Sequence, residues 1–265
     1  MSDPTSSSAG THWQRVLRIS GEDRVDFLQG QLTQDLTRLS TDQPALFAAS
    51  CDPKGRVLAV LLLFWRPDEM LACLRHDIAD EWVAHVSKYR LRAKVDITAA
   101  NDLQVRASRK PNTGAIAQWS FANVNEAIVS ADVTPEDSDM QDAVWRKTRL
   151  QARLAEVGPT TSGKFTPHML ALDELDAISF NKGCYTGQEV VARTEHLGAV
   201  KRRVHLLNST DGSDINEGDS VNGSAGKVGQ VAAAAGASAL VVMRDSDLDD
   251  PELHIDDGPS LIVVG

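Results

Sequence analysis

Cysteine is scarce: there are three in 265 residues, at positions 51, 73 and 184. None stands in a CxxC pair or any other tight spacing of metal ligands, which excludes zinc-ribbon and zinc-finger arrangements. An odd, sparse set of thiols suits a reducing compartment, where disulfides do not persist. The seven histidines are scattered, with no HxH or HxxxH pair, so no metal site is expected. Aromatic residues make up only 5%, too few for a base-stacking platform. Basic residues are outnumbered, 27 Lys and Arg against 37 Asp and Glu, giving a formal charge of −10. A protein built to grip a phosphate backbone leans the other way, so direct DNA binding is not expected. The longest apolar run, VLAVLLLFW from Val57 to Trp65, has nine residues, far short of the roughly 20 of a membrane-spanning helix. The opening MSDPTSSSAG has neither an apolar h-region nor an arginine, so neither a secretory nor a mitochondrial leader is expected. These absences predict a cytoplasmic, soluble protein with no membrane segment.

What is there is ample for folding. Hydrophobic residues make up 42%, enough for a core without staples. The length allows two domains, or one large domain with an appendage. Residues 1–12 read as a disordered tail. QRVLRIS is a first strand, with Ser20 as candidate cap of a helix interrupted at Gly30, so two short helices with a corner are expected. ALFAASC and VLAVLLLFW flank DPKGR, the pattern of a hairpin. MLACL is a further strand. DIADEWVAHVSKY is an amphipathic helix with Asp77 as cap and Ile78, Trp82, Val86 and Tyr89 on one face. AKVDIT, LQVRA, GAIAQW and EAIVS add strands, which makes the class α+β. ADVTPEDSD reads as a polar linker. A long helix is predicted over about 137–157, carrying Met140, Val144, Leu150, Leu154 and Val157, with Gly158 and Pro159 stopping it. From about residue 199 short strands alternate with glycine turns, the pattern of a small β-barrel or sandwich. Segment 245–257 holds seven acids in thirteen residues and reads as a solvated loop.

The segment NKGCYTGQEVVART carries the most chemistry. Gly183 permits backbone shapes closed to other residues, and Gly187, Gln188 and Glu189 resemble a helix start with an early acid. A thiol beside Lys182 and just ahead of a helix N-terminus would have its thiolate stabilised. Two readings stay open on residue chemistry alone: a reactive or redox-competent Cys184, or a small buried cysteine at a turn. The nearest histidine in sequence is His196, and no papain-like signature surrounds the thiol. The glycine spacing is wrong for a phosphate-binding P-loop, and GSAGKVGQV is better explained as a hairpin turn. In KYRLRAKV the cations Lys88, Arg90, Arg92 and Lys94 alternate with Tyr89, Leu91, Ala93 and Val95. An extended segment would present a cationic face to an anionic ligand, such as a polyglutamate tail, or to an acidic partner. A helix end running into a half-buried strand is the preferred reading for Lys88 and Arg90.

FLQGQLTQD (27–35), CDPKGRVL (51–58), KYRLRAKV (88–95), LDAISFNKGCYTGQEVVAR (175–193) and GKVGQV (226–231) occur here in one order. In that order, over about residues 13–262, the chain resembles the YgfZ-type folate-binding proteins, relatives of the aminomethyltransferase (T-protein) of glycine cleavage. The resemblance implies an α+β fold: a three-subdomain ring around a folate channel, with 13–198 as the folate-binding region of two interleaved α+β subdomains and 199–265 as a C-terminal β-barrel. It implies tetrahydrofolate, in its simple or polyglutamylated form, as ligand. It implies a role in assembly or repair of iron–sulfur clusters in client enzymes, including radical enzymes that modify tRNA. Carried onto this chain, it makes Lys182 and Cys184 the functional pair, with Cys184 a redox or handover thiol. The same resemblance puts Gln31, Asp35, Asp52, Tyr185, Gln188, Glu189 and Arg193 at the folate. One thiol per chain cannot hold a cluster that wants about four ligands.

Two departures from the pattern bear on activity. T-proteins carry an acidic pair on the strand after the first hairpin, and the matching place here is apolar, at Leu58 and Ala59. Without a carboxylate there, proton transfer at a folate nitrogen lacks its agent. Relatives often carry a glutamate after the proline of FTP, where this chain has His168 and Met169. A folate-dependent aminomethyl or one-carbon transferase is therefore the alternative to an accessory protein. A pure interaction scaffold, resting on the acidic 245–257 segment, is a third.

Overall fold

The fold is described from a computed structural model for residues 13–134, 139–198 and 200–264, so the expected tail at 1–12 lies outside the described residues. Three antiparallel sheets form it. The first has the order β2-β3-β4-β1-β5, from β1 (Gln14–Ser20), β2 (Ala45–Cys51), β3 (Val57–Trp65), β4 (Met70–Arg75) and β5 (Asp96–Ala99). β3 lies between two partners and is buried along almost its whole length, which is why it reads as an unbroken apolar run rather than an alternating one. The β2–β3 hairpin pairs Ala45 with Phe64 through to Cys51 with Val57, with a register shift at its turn end. Helix α2 (His76–Ser87) buries Ile78, Ala79, Trp82 and Val86.

The second sheet, β6-β8-β7, comprises β6 (Leu103–Ser108), β7 (Ala117–Phe121) and β8 (Val124–Ser130). Its β7–β8 turn is only Ala122 and Asn123, both at positive φ, the geometry that matches strand twist in a tight hairpin. The third sheet has the order β13-β10-β11-β12-β9-β14, from β9 (Arg203–Ser209), β10 (Ser220–Gly223), β11 (Gly226–Ala235), β12 (Ser238–Met243), β13 (His254–Ile255) and β14 (Leu261–Val263). Its two outer strands nearly meet: the Leu261 amide donates to the Leu253 carbonyl at 2.7 Å, and His254 bridges Ser260. The sheet is thus an almost closed barrel with its own core of Leu207, Val221, Val231, Val241 and Met243.

The three sheets meet at a buried polar cluster. Arg149, on helix α3 (Asp142–Gln151), is 1% exposed and pairs with Glu126 of β8 and with Glu156. Glu126 also accepts from the Trp145 indole, and Glu156 accepts from Gln14 of β1 at 3.0 Å. Arg75 at the end of β4 pairs with Glu217, a loop residue of the barrel region. Breaking one partner of such a buried pair leaves a charge without compensation and is strongly destabilising.

Several expectations are corrected. The helix predicted over 137–157 is only Asp142–Gln151. Arg153 turns the chain with φ of 58°, and Leu154, Ala155, Glu156 and Val157 are then buried one after another, as no one-sided helix allows. Leu154 and Val157 are core residues, but not helical ones, and Val144 is exposed. Residues 135–138 of the expected linker lie outside the described residues. Ser20 ends β1 and caps nothing; helix α1 (Arg24–Gln29) follows Asp23, and a 3-10 turn at Leu36–Arg38 is the second short helix. Gly21, at φ of 103°, makes that corner, since a Cβ there would lie 2.1 Å from the Lys94 carbonyl oxygen. Asp77 is in the first turn of α2 and accepts from Arg75 instead of capping. Tyr89 lies beyond the helix and is 39% exposed. Residues 88–95 form neither strand nor helix, and β5 begins only at Asp96. The acidic 245–257 segment contains β13 and buries Leu253 and Ile255, so it is not wholly a solvated loop.

Candidate functional site

Three of the motif segments converge. The chain from Ser179 to Gly187 lies against the loop after α1 and against the β2–β3 turn. The Ser179 amide donates to the Thr33 carbonyl at 2.9 Å, and the Thr186 amide donates to the Gly30 carbonyl at 3.2 Å. Helix α4 (Gln188–Leu197) starts after Gly187, whose φ is 84°. A Cβ at Gly187 would stand 2.5 Å from the Asp52 carbonyl oxygen and 2.9 Å from the Gly55 Cα. Glycine is required here twice over, for its φ and for this backbone-to-backbone approach. Gly183 needs neither: its φ is not positive and nothing lies within 4 Å of a Cβ built on it, so the special glycine of the motif is the second one.

Lys182 is turned inward, against the loop after α1. Its ammonium donates to the carbonyls of Gln29 (2.8 Å), Leu32 (2.7 Å) and Gln34 (2.8 Å), which uses all three of its N–H groups. It lies 5.2 Å from the centroid of the Tyr185 ring, a cation–π contact on a fourth side. Burial lowers its pKa to about 8, against the favourable charge of Asp35, so it is still an ammonium at neutral pH. Tyr185 is buried beneath it with a hydroxyl that has no partner, and burial raises its pKa. Cys184, between the two, is exposed, whereas Cys51 and Cys73 are buried in strands and burial pushes both of those thiols up.

The two aspartates are occupied in shaping loops. Asp35 Oδ1 accepts from Gln29 Nε2 (2.7 Å), from the Thr37 amide (3.0 Å) and from Thr37 Oγ1 (2.7 Å). Burial alone would raise its pKa, but these hydrogen bonds and the charge of Lys182 hold it below the ordinary value. Asp52 Oδ1 accepts from the amides of Lys54 (2.9 Å) and Arg56 (2.8 Å), the Asx turn that sets up the hairpin. Gln31 is half-buried in the loop after α1, Gln188 is half-buried in the first turn of α4, and Glu189 and Arg193 are exposed one helical turn apart.

Residues not singled out by sequence also hold the site. Thr33 Oγ1 donates to the Ala177 carbonyl at 2.6 Å and accepts from the Ala49 amide at 2.8 Å, which ties loop to sheet. Gln34 binds Asp176, which pairs with Arg38. The available signal was a run of polar residues inside a motif flanked by apolar ones. His168, fully buried, has Nε2 3.1 Å from Glu195 Oε2 of α4, stacks on Phe180 and leaves Nδ1 without a partner.

Beside this platform, Leu58 of β3 lines a cavity of about 40 Å3 with Ile78, Glu81, Trp82, His85 and Ser162. Trp82 is 2% exposed, and its indole N–H has no partner. Burial and the nearby Lys88 lower the pKa of His85, while Asp52 opposes the shift, so the cavity, the hairpin turn and the basic 88–94 segment share one electrostatic neighbourhood. GKVGQV, in contrast, lies in the β10–β11 hairpin of the barrel, as its glycines suggest. Among the described residues no group of three or more His, Cys, Asp or Glu is placed to hold a metal ion, and no helix is long and apolar enough to cross a membrane.

No protein-family model matches the chain. It is 32% identical over 224 residues to the tRNA-modifying protein YgfZ of Klebsiella pneumoniae, covering 72% of this chain and 68% of that protein. It is 29% identical over 291 residues to the protein of the same name from Serratia proteamaculans, covering 94% and 88%. Among solved structures, the glycine cleavage system aminomethyltransferase T of Bartonella henselae superposes with a TM-score of 0.70 at 14% identity, over 96% of this chain and 82% of that one. That likeness gives the fold: mixed helix and sheet of the T-protein kind, ending in a barrel-like sheet.

Proposed function

The chain belongs to the YgfZ family, and from that premise we propose that it is a folate-binding accessory protein that helps assemble or repair iron–sulfur clusters in client enzymes, tRNA-modifying radical enzymes among them. The observation that carries this reading is the presentation of Cys184. It is the exposed thiol of the three, on a loop that Lys182 fixes through three carbonyls and Gly187 seats against the hairpin. A loop held this way keeps its thiol at one place, which serves transfer to or from a partner's cluster. With a single thiol it supplies one ligand of about four, so the cluster stays with the client and is cargo here.

The residues suit a reduced folate. Trp82 offers an aromatic wall and an unpartnered buried N–H, Glu81 and His85 offer polar groups, and Leu58 closes the far side. A cavity of this size takes the edge of a flat heterocycle, and the rest of a folate would lie outside it. When bound, the folate would supply a one-carbon carrier or a reductant. The chain's own residues exclude water from the ring edge and position it. None of them is a carboxylate on β3, where Leu58 is half-buried and Ala59 fully buried. Proton transfer at a folate nitrogen would therefore fall to Glu81 or His85, the titratable groups that line the cavity, and not to β3.

Calorimetry with tetrahydrofolate and the activity of cluster-dependent enzymes in a deletion strain test the proposal. Micromolar or tighter binding, with cluster enzymes restored by the wild type and not by Cys184→Ser, is expected. Absent folate binding together with normal cluster enzymes in the deletion strain sinks it. The T-protein fold favours one other reading, a one-carbon transferase, and formation of methylene-tetrahydrofolate from an aminomethyl donor at steady turnover would establish that instead.

A further inference from the structure

The loop after α2 carries a side chain that its own packing does not explain. Leu91 is 91% exposed and held at φ of 40°. Left-handed backbone costs a residue with a Cβ about 1–2 kcal/mol, and here no internal contact of the side chain offsets it. The loop is nonetheless firmly seated. The amides of Tyr89 and Arg90 donate to Val86 (3.0 Å) and Ser87 (3.2 Å), and that of Ala93 donates to Arg90 (2.7 Å). At its base the Lys94 amide donates to Asp23 Oδ2 at 2.7 Å, and the Asp23 amide returns a bond to the Lys94 carbonyl at 3.2 Å. Of the seven non-glycine residues at positive φ among the described residues, Leu91 is the one with a large apolar side chain, and it is exposed.

We propose that residues 88–92 are the docking site for an acidic protein partner, specifically a client-enzyme surface with an apolar pocket ringed by carboxylates. This rests on the accessory reading above. Charge complementarity selects that partner. Lys94 is paired with Glu22 and Arg90 with Asp96, but Lys88 and Arg92 are exposed and make no ion pair among the described residues. They flank Leu91 on a chain whose formal charge is −10, so they form a local cationic spot on an acidic molecule. Leu91 is the apolar anchor, and Tyr89, 39% exposed and steadied by the His85 ring 5.5 Å away, adds an aromatic contact. RNA fits less well, because the apex is aliphatic and two unpaired cations make few phosphate contacts. A lipid surface also fits less well, because one aliphatic side chain is far too small an anchor. Because His85 also lines the Trp82 cavity, a partner seated on Tyr89 and Leu91 comes to its edge.

The test uses the full chain with Leu91→Asp, Arg92→Glu and Leu91→Gly, in the deletion strain and as purified protein. The expected result is a severalfold or greater loss of restored cluster-enzyme activity in all three, with tetrahydrofolate affinity within about twofold of wild type. Leu91→Gly is expected to melt at or above the wild-type temperature, because glycine accepts the left-handed backbone, which separates lost contact from lost folding. Wild-type restoration by all three variants overturns the proposal, and so does a parallel loss of folate affinity, which would make the loop a folate subsite. Binding of purified protein to tRNA, or to vesicles containing anionic lipid, that Arg92→Glu abolishes would also overturn it. If the wild type itself restores nothing, the accessory reading has failed. The docking site is then judged by a benzophenone amino acid in place of Tyr89: discrete photo-adducts lost with Arg92→Glu uphold it, and none overturns it.

Discussion

Two loops, 179–188 and 88–94, are held with comparable firmness but are built in opposite senses. In the first a lysine is turned inward, its ammonium among three carbonyls and an aromatic ring, while a small thiol faces out. In the second a leucine is turned outward, strained and exposed, with unpaired cations beside it. The first loop hides charge and the second displays apolar surface, each against the usual preference. With all three N–H groups given to carbonyls, the Lys182 ammonium holds its loop in this structure. An apolar side chain in water stabilises nothing within the chain, and the contact proposed for Leu91 is what would use it.

The strongest way to break this comparison is to show that the first loop is not rigid. Native protein treated with iodoacetamide at pH 7 is expected to lose Cys184 at least ~10³-fold faster than Cys51 or Cys73, because the strand thiols react only after openings worth several kcal/mol. Mass spectrometry of the three peptides gives the ratio, and equal rates would mean that loop and core open together. Next in size, Gly187→Ala is expected to cost about 3 kcal/mol in urea unfolding, since its Cβ meets the Asp52 carbonyl and its φ is left-handed. A cost under about 1 kcal/mol would show that the hairpin yields easily. Lys182→Met is expected to cost about 2 kcal/mol by leaving three carbonyls without their donor, and to raise amide exchange at residues 29–36. Lys182→Arg should rescue little, because a planar fork cannot meet carbonyls placed for a tripod.

The comparison is sharpened from the other side by Leu91→Gly, which is expected to stabilise by about 1 kcal/mol in the same urea titration. A destabilised Leu91→Gly would mean that the leucine packs on something within the chain. The smallest effect is that of acid. Asp35 and Asp176 both have pKa values below the ordinary carboxylate value, Asp35 held there, against its burial, by Thr37 and Gln29, and Asp176 chiefly by Arg38. Stability from such groups is present above the unfolded value near 3.8 and is lost as pH falls through the lower folded ones. The difference in melting temperature between wild type and Asp35→Asn is therefore expected to be larger at pH 6 than at pH 3. An unchanged gap would show that the Asp35 carboxylate contributes nothing to holding the loop.

Most strands were legible because their apolar runs are long and bounded by turn residues. The hairpin 45–65 is the clearest case, with Pro53 and Gly55 between two runs that pair along their lengths. Helix α3 was misread because Leu154 and Val157 continue the apolar spacing of Leu150, although the chain has by then become extended and buried on all sides. Periodicity cannot tell a helix face from a run of core residues that continues at the same spacing. At the site, the thiol census and the helix start at Gln188 were legible. The work of Asp35 and Asp52 was not, since a carboxylate in a motif looks the same whether it awaits a ligand or ties its own loop.

The sequence by itself determined which residues are available: one motif thiol apart from two in strands, a lysine two positions before it, and a β3 without a carboxylate. Only the tertiary structure decided what Lys182 does. Its three partners lie 148, 150 and 153 residues back along the chain, and they are gathered only when the loop after α1 meets the signature loop. The physical reason is that backbone carbonyls are present in every residue and carry no sequence mark. Their value as a cage for an ammonium exists solely in their positions after folding.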